Sequence, residues 1–255
     1  MSKARLAEIK KLHQKKYREE MGLYLIEGWK SVEEALHARI SFSTVVYDEH
    51  RIPDPKLLSA LKKSSAELIA AKAKEIDSIS DAVTSQGIIA VAPIADSRGK
   101  IDDVLKRESA LIIALDGIGD PGNLGTIIRT CDWFGVDALV VGKHSVDLYN
   151  PKVVRATMGS LFHFPIVNDV DLITVLTQSH KEGFSIFSTE LLGSDDVRKT
   201  VFSMKSLIVI GSESHGVSKE ISPLADKKIF IPNFGKAESL NAAIACAVIL
   251  TRLRL

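Results

Sequence analysis

Apolar and polar positions along the chain fall into short runs that switch between strand and helix periods. Residues 23–27 read as a strand, and residues 29–38 carry apolar side chains at helical spacing. Residues 44–47 predict a second strand. Pro55 then opens a helix to Lys63, in the first turn, where proline is tolerated. Residues 66–70 predict a strand, 72–79 a helix, and 87–92 a long apolar strand. Together these make a small α/β unit over residues 1–95. Pro, Asp, Ser, Arg and Gly between positions 93 and 100 break the pattern. A linker over residues 96–108 is expected there, with a short helix at 102–107.

From residue 109 to 255 the alternation is more regular. The unbroken apolar run at 111–115 predicts a strand buried on both faces, and largely apolar stretches at 138–141, 164–167, 184–187, 207–210 and 228–231 predict further strands. Helices are expected at 124–134, 171–181 and 239–253. Strands alternating with helices predict an α/β fold with a parallel sheet covered on both sides.

Composition changes this picture little. Apolar residues make up 45% and charged residues 25%, and the net charge is +1. No apolar run reaches the roughly 20 residues of a membrane span. Met-Ser-Lys-Ala-Arg at the start lacks the apolar core of a signal peptide, so a cytoplasmic location is expected. Cys131 and Cys246 fit no zinc or redox spacing and read as small buried residues, and no metal is expected. One local asymmetry stands out. Lys3, Arg5, Lys10, Lys11, Lys15, Lys16 and Arg18 are opposed only by Glu8 across the first eighteen positions. That run suits a solvated helix face or a surface that tracks phosphates.

Three polar clusters follow predicted strands. Gly117, Gly119 and Gly122 form a nominal G-x-G-x-x-G, yet Pro121 removes a backbone donor that a pyrophosphate would use. The next strand ends in Gly142-Lys143, without the acidic residue that a dinucleotide site needs. Asn123 can cap the following helix, and Arg129 lies in a mostly apolar stretch, where a guanidinium calls for an anionic partner or an open cleft. Gly211-Ser-Glu-Ser-His-Gly216 closes another buried strand, placing Glu213 at its carboxyl end. Ile231-Pro-Asn-Phe-Gly-Lys-Ala-Glu-Ser-Leu-Asn241 is the third cluster, with Ser239 as a candidate N-cap.

Residues 109–255 resemble the SpoU/TrmH family of SPOUT RNA 2′-O-ribose methyltransferases. The resemblance rests on Asn123-x-Gly-x-x-x-Arg129, Gly211-x-Glu-x-x-Gly216, and Ile231-Pro-x-x-Gly followed by Ser239-Leu-Asn241. The segment from Lys152 through Arg155 to Ser160 also looks like the stretch between the family's first two motifs. Residues 1–95 look like the ribosomal-protein-like αβα substrate-binding domain that many members carry.

The resemblance implies a C-terminal trefoil knot holding S-adenosyl-L-methionine, with backbone groups at Gly211, Ile231 and Leu240 as the cofactor's contacts. It implies a homodimer in which Arg129 of one subunit works beside the other's cofactor, assisted by Asn123, Glu213, Ser239 and Asn241. RNA would be bound by Lys10, Lys11, Lys15, Lys16, Arg18 and Arg155. The expected activity is methylation of a ribose 2′-hydroxyl in ribosomal RNA of the 23S type. The alternatives are a transfer-RNA 2′-O-methyltransferase and a non-catalytic RNA-binding protein of the same fold. Arginine has no lone pair to act as a base, so Arg129 is expected to clamp phosphate or a developing oxyanion.

Overall fold

The computed structural model describes residues 1–52, 54–64, 66–95, 100–191 and 195–255. Positions 96–99 of the expected linker therefore lie outside the described residues. In chain order the first elements are α1 (Lys3–Lys11), α2 (Lys15–Met21), β1 (Leu23–Glu27), α3 (Trp29–His37), β2 (Thr44–Tyr47), α4 (Pro55–Lys63), β3 (Glu67–Ala70), α5 (Ala73–Ile79) and β4 (Ile88–Pro93). Next come α6 (Lys100–Leu105), β5 (Ala110–Asp116), α7 (Pro121–Trp133), β6 (Ala138–Gly142), α8 (Pro151–Ala156), β7 (Ile166–Val170) and α9 (Leu172–Lys181). The last are β8 (Ser185–Thr189), β9 (Asp195–Asp196), β10 (Lys205–Gly211), β11 (Lys227–Phe230) and α10 (Ala242–Arg254). The chain forms two compact units, one made of residues 1–95 with 148–163 and the other of the remaining described residues.

The first unit is a four-stranded sheet in the order β1-β4-β2-β3, with only β2 and β3 parallel. β4 sits between two neighbours and is buried from Ile88 to Ala92, which is why its sequence runs apolar without alternation. Ile9 and Leu12 pack with Leu25, Val46, Ile76, Ile79, Ile89 and Val91 into one core. Local chemistry starts the helices. Ser2 accepts from the Arg5 backbone at the head of α1, and Asp54 accepts from Lys56 at the head of α4, with Pro55 at its first position.

Residues 148–163 join this unit through side chains distant in sequence. The Tyr149 ring lies 4.6 Å from that of Tyr24. Arg155 donates to Glu27 at 3.1 Å and to Asp81 at 3.4 Å. A left-handed turn at Met158 and Gly159 follows, and a Cβ on Gly159 would stand 2.5 Å from the Glu34 side chain. The sequence reading groups this segment with the second half, because partners 74 to 128 residues away leave no local pattern.

The second unit is a seven-stranded sheet in the order β7-β6-β5-β10-β8-β11-β9, parallel throughout. Ala110, Ile112 and Ala114 of β5 pack with Ile101 and Leu105 of α6 and with Leu172 and Leu176 of α9. The alternate residues Leu111, Ile113 and Leu115 are also buried. α10 packs against α7 and touches β10. Strand order reverses between β5, which leads to β6 and β7, and β10. Asp116 and Gly211 are register partners at that reversal. An α/β sheet opens a crevice for ligands at such a point, outside the carboxyl ends of its strands.

Two expected caps are displaced. α7 begins at Pro121 and is capped by Asp120, whose carboxylate accepts from the Asn123 backbone at 2.8 Å. α10 begins at Ala242, and its cap is Asn241, accepting from Ala243 at 2.9 Å and Ile244 at 3.3 Å. Ser239 therefore does not cap α10, and the Asn123 side chain is free for another task.

Candidate active site

Three loops at the carboxyl ends of β8, β10 and β11 converge in the second unit. After β10, Ser212 and Gly216 exchange backbone hydrogen bonds of 3.1 and 2.9 Å, with Gly216 in the left-handed region. This folds the loop back onto Gly211, where a Cβ would stand 2.0 Å from the Gly216 carbonyl carbon. Only glycine permits that approach. Asp116 accepts from the Ser218 backbone at 2.7 Å and ties the loop to the end of β5. After β11, Asn233 accepts from the Gly235 backbone at 2.8 Å and donates to the Ala237 carbonyl at 2.7 Å, closing its own turn.

Glu190, just past β8, accepts from Ser222 at 2.6 Å, Ser188 at 2.9 Å and the Lys228 ammonium at 3.3 Å. Burial pushes its pKa up. The two hydroxyls and the ammonium outweigh that and hold it below the usual carboxylate range. The sequence reading passes over Glu190, although it follows a strand end just as Glu213 does.

These loops enclose a cavity of about 520 Å³, within the range of small-molecule sites. Gly211, Glu213, Ile231, Ser239 and Leu240 all line it, whereas Asn123, Arg129 and Asn241 do not. The described lining includes the carboxylates of Glu190, which is paired with Lys228, and of Glu213 and Glu238, and no lysine or arginine. Such a surface repels a pyrophosphate and attracts a cation. The head of α7 is closed to a phosphate as well, since the Asp120 carboxylate already occupies it. A sulfonium cofactor with an ammonium group fits this lining, and a nicotinamide dinucleotide does not.

Behind the cavity, the three sequence clusters are joined by side chains. Asn123 donates its amide to Glu213, and its carbonyl oxygen accepts from Asn241 at 2.9 Å. Asn241 in turn holds the first turn of α10. One hydrogen-bonded chain thus links α7, the loop after β10 and the start of α10. Arg129 lies farther along α7, exposed, and has no hydrogen bond or ion pair among the described residues. Trp133, one turn on, is 86% exposed. Cys131 and Cys246 are buried and free. Burial, together with the neighbouring Cys246, pushes the Cys131 thiol well up, so it is no nucleophile.

In the first unit, Lys10, Lys11, Lys15 and Lys16 are exposed. Lys15 and Lys16 lie 3.6 and 3.8 Å from Glu19 and Glu20, one turn on. Lys11 and Lys16 flank the Tyr17 ring at 5.4 and 5.8 Å. Arg18 departs from the expected basic surface: it is 2% exposed, and its guanidinium donates to the carbonyls of Leu12 and His13 at 2.8 Å. Its charge serves the chain's own backbone. Arg155 is likewise engaged by Glu27 and Asp81. Neither arginine presents a free fork to RNA.

Among the described residues no helix is long and apolar enough to cross a membrane. No group of three or more His, Cys, Asp or Glu among them is placed to hold a metal. Comparison with known proteins bears on both units. Residues 3–90 match the MRM3-like substrate binding domain. The 23S rRNA (guanosine(2553)-2′-O)-methyltransferase RlmP of Bacillus subtilis (strain 168) is 32% identical over 96% of this chain and 94% of its own. The SpoU methyltransferase AviRb of Streptomyces viridochromogenes, solved with AdoMet, superposes with a TM-score of 0.88 at 29% identity, covering 98% of this chain and 97% of that one. An AdoMet-bound rRNA methyltransferase of Sinorhizobium meliloti gives a TM-score of 0.87 at 29% identity, covering 99% and 94%. Residues 110–251, which carry the cavity and the chain from Glu213 to Asn241, match the SpoU rRNA Methylase family, and this protein belongs to that family.

Proposed function

We propose that this protein is an S-adenosyl-L-methionine-dependent methyltransferase that modifies a ribose 2′-hydroxyl of 23S-type ribosomal RNA in the cytoplasm. The observation that carries this reading is the cavity, with three carboxylates and no lysine or arginine in its described lining. The names of the Bacillus relative and the Sinorhizobium structure support ribosomal RNA as the substrate. The first unit's match to a substrate-binding domain supports its role in recruiting RNA, through Lys10, Lys11, Lys15 and Lys16.

When bound, the cofactor supplies an electrophilic methyl group on sulfur. Backbone groups at Gly211, Ile231 and Leu240 hold it in the cavity, inside the trefoil knot that the family implies, with α10 drawn through the loops. Asn123, Glu213, Ser239 and Asn241 fix the loops around it. Positioning the hydroxyl in line with the methyl supplies much of the rate. The Arg129 guanidinium, which has no lone pair to act as a base, clamps RNA phosphate and the oxygen that gains charge, while the hydroxyl proton leaves to phosphate or water.

Arg129 does this from the partner subunit of a homodimer. Two facts support that arrangement. Arg129 does not line the cavity of its own chain. Trp133, Ile244 and Val248 also expose apolar surface on the packed helices α7 and α10, as a subunit contact would require.

The test is transfer of tritium from labelled S-adenosyl-L-methionine to ribosomal RNA from cells lacking this gene. After nuclease digestion, label is expected on a 2′-O-methylated nucleotide of 23S RNA. Label on a base removes the ribose assignment, and label on transfer RNA alone removes the ribosomal one. Cofactor binding without transfer to any RNA would leave a binding protein.

A further inference from the structure

The loop after β11 carries Phe234, whose side chain is 87% exposed although the residue lies at the rim of the cavity. One face of the ring is turned toward Arg198. The guanidinium carbon of Arg198 stands 5.5 Å from the ring centroid. Arg198 is itself fixed: Nε lies 3.0 Å from both carboxylate oxygens of Asp196, and Nη2 lies 2.6 Å from Oδ2. Its backbone is held too, since Arg252 of α10 donates to the carbonyls of Arg198 at 3.1 Å and Thr200 at 3.4 Å. On the other side, the turn closed by Asn233 sets the path of the Phe234 loop. An aromatic ring and an arginine plane are thus held at the cavity mouth by two independent braces, with the second ring face open.

Charge identifies the occupant. Arg198, paired with Asp196, its neighbour Lys199, and Lys236 two residues beyond Phe234 are all exposed. The described cavity lining has no lysine or arginine. A cationic cofactor is favoured inside and disfavoured beside Arg198, whereas a polyanion is favoured outside. Unpaired RNA bases stack on aromatic rings and on arginine planes alike. We propose that Phe234 and Arg198 form a stacking platform for an unpaired nucleobase of the substrate RNA, next to the cavity. The proposal rests on the reading that RNA is the substrate, and its test uses binding rather than methyl transfer.

The probe is a single-stranded RNA of twelve nucleotides with 2-aminopurine at alternate positions, titrated with the full chain. Stacking on Phe234 quenches the 2-aminopurine emission. Phe234→Ala is expected to lose most of that quenching and to weaken binding roughly 5- to 150-fold. Phe234→Tyr should keep both, and Arg198→Gln should weaken binding and lower its dependence on salt. Affinity for S-adenosyl-L-methionine, measured by calorimetry, should stay within about twofold of the parent in Arg198→Gln, since Arg198 is not among the residues that line the cavity. Four results would overturn the platform: unchanged quenching and affinity in Phe234→Ala, lost cofactor affinity in Arg198→Gln, a changed oligomeric state, or no binding of the probe by the parent protein. Failure of methyl transfer with the platform intact would count against the enzymatic reading alone.

Discussion

At the scale of single residues, α7 shows how one helix serves both core and site. Leu124, Ile127, Ile128 and Cys131 are buried, while Thr126, Arg129 and Trp133 face water. The apolar majority of this stretch conceals a narrow exposed strip at helical spacing. Arg129 stands on that strip without a partner among the described residues, poised for a ligand rather than spent on a fold contact. Arg18 is the opposite case, because backbone carbonyls hold it and carbonyls leave no mark in a sequence. If Arg129 clamps an oxyanion or phosphate through its planar fork, Arg129→Lys should fare little better than Arg129→Ala. Both variants are expected to lose about 10²-fold or more in kcat, with cofactor affinity unchanged. Single-turnover transfer beside calorimetry checks this, and near-normal turnover by Arg129→Ala would place the catalytic role elsewhere.

At the scale of elements, the parallel strands are the most legible features, because burial on both faces writes itself as an unbroken apolar run. β9, with two residues, and α8, with six, are too short to carry a period and go unseen in the sequence. The start of α10 is misplaced for a different reason. Ser239 and Asn241 are equally good caps, and only the fold decides that Ser239 lines the cavity while Asn241 caps. That dual duty can be separated by substitution. Asn241→Ala should lose about 1 kcal/mol of helix capping and lower the thermal midpoint by a few degrees. Asn241→Ser should recover the cap, yet its shorter side chain has no amide to offer Asn123. A serine variant with restored midpoint and still-reduced kcat separates the link from the cap, whereas full recovery of both would mean that the Asn123 contact is dispensable. Gly211 offers no such separation. Any side chain there meets the backbone of Gly216 and Val217, so loss of cofactor binding and loss of stability should come together.

At the scale of the whole molecule, the proposed dimer makes a prediction that no single-chain variant can test. Arg129→Ala subunits, mixed with subunits blocked at the cavity by Leu240→Arg, should regain part of the lost activity if arginine and cofactor come from different chains. No recovery in a verified heterodimer would confine the site to one subunit. The division of the chain has its own consequence. The segment that carries Tyr149, Arg155 and Gly159 belongs to the first unit but follows about fifty residues of the second. The order of synthesis is therefore not the order of completion. A ribosome adding about 5–20 residues per second reaches His163 roughly 3–14 s after Ala95, and for that interval Tyr24, Glu27 and Glu34 wait without their later partners. Nascent chains arrested with Ala95 clear of the exit tunnel should be cut readily by protease within the first unit. Protection should rise sharply once His163 has emerged, and full protection at the earlier arrest point would show that the late segment is an ornament of this unit rather than its closing piece.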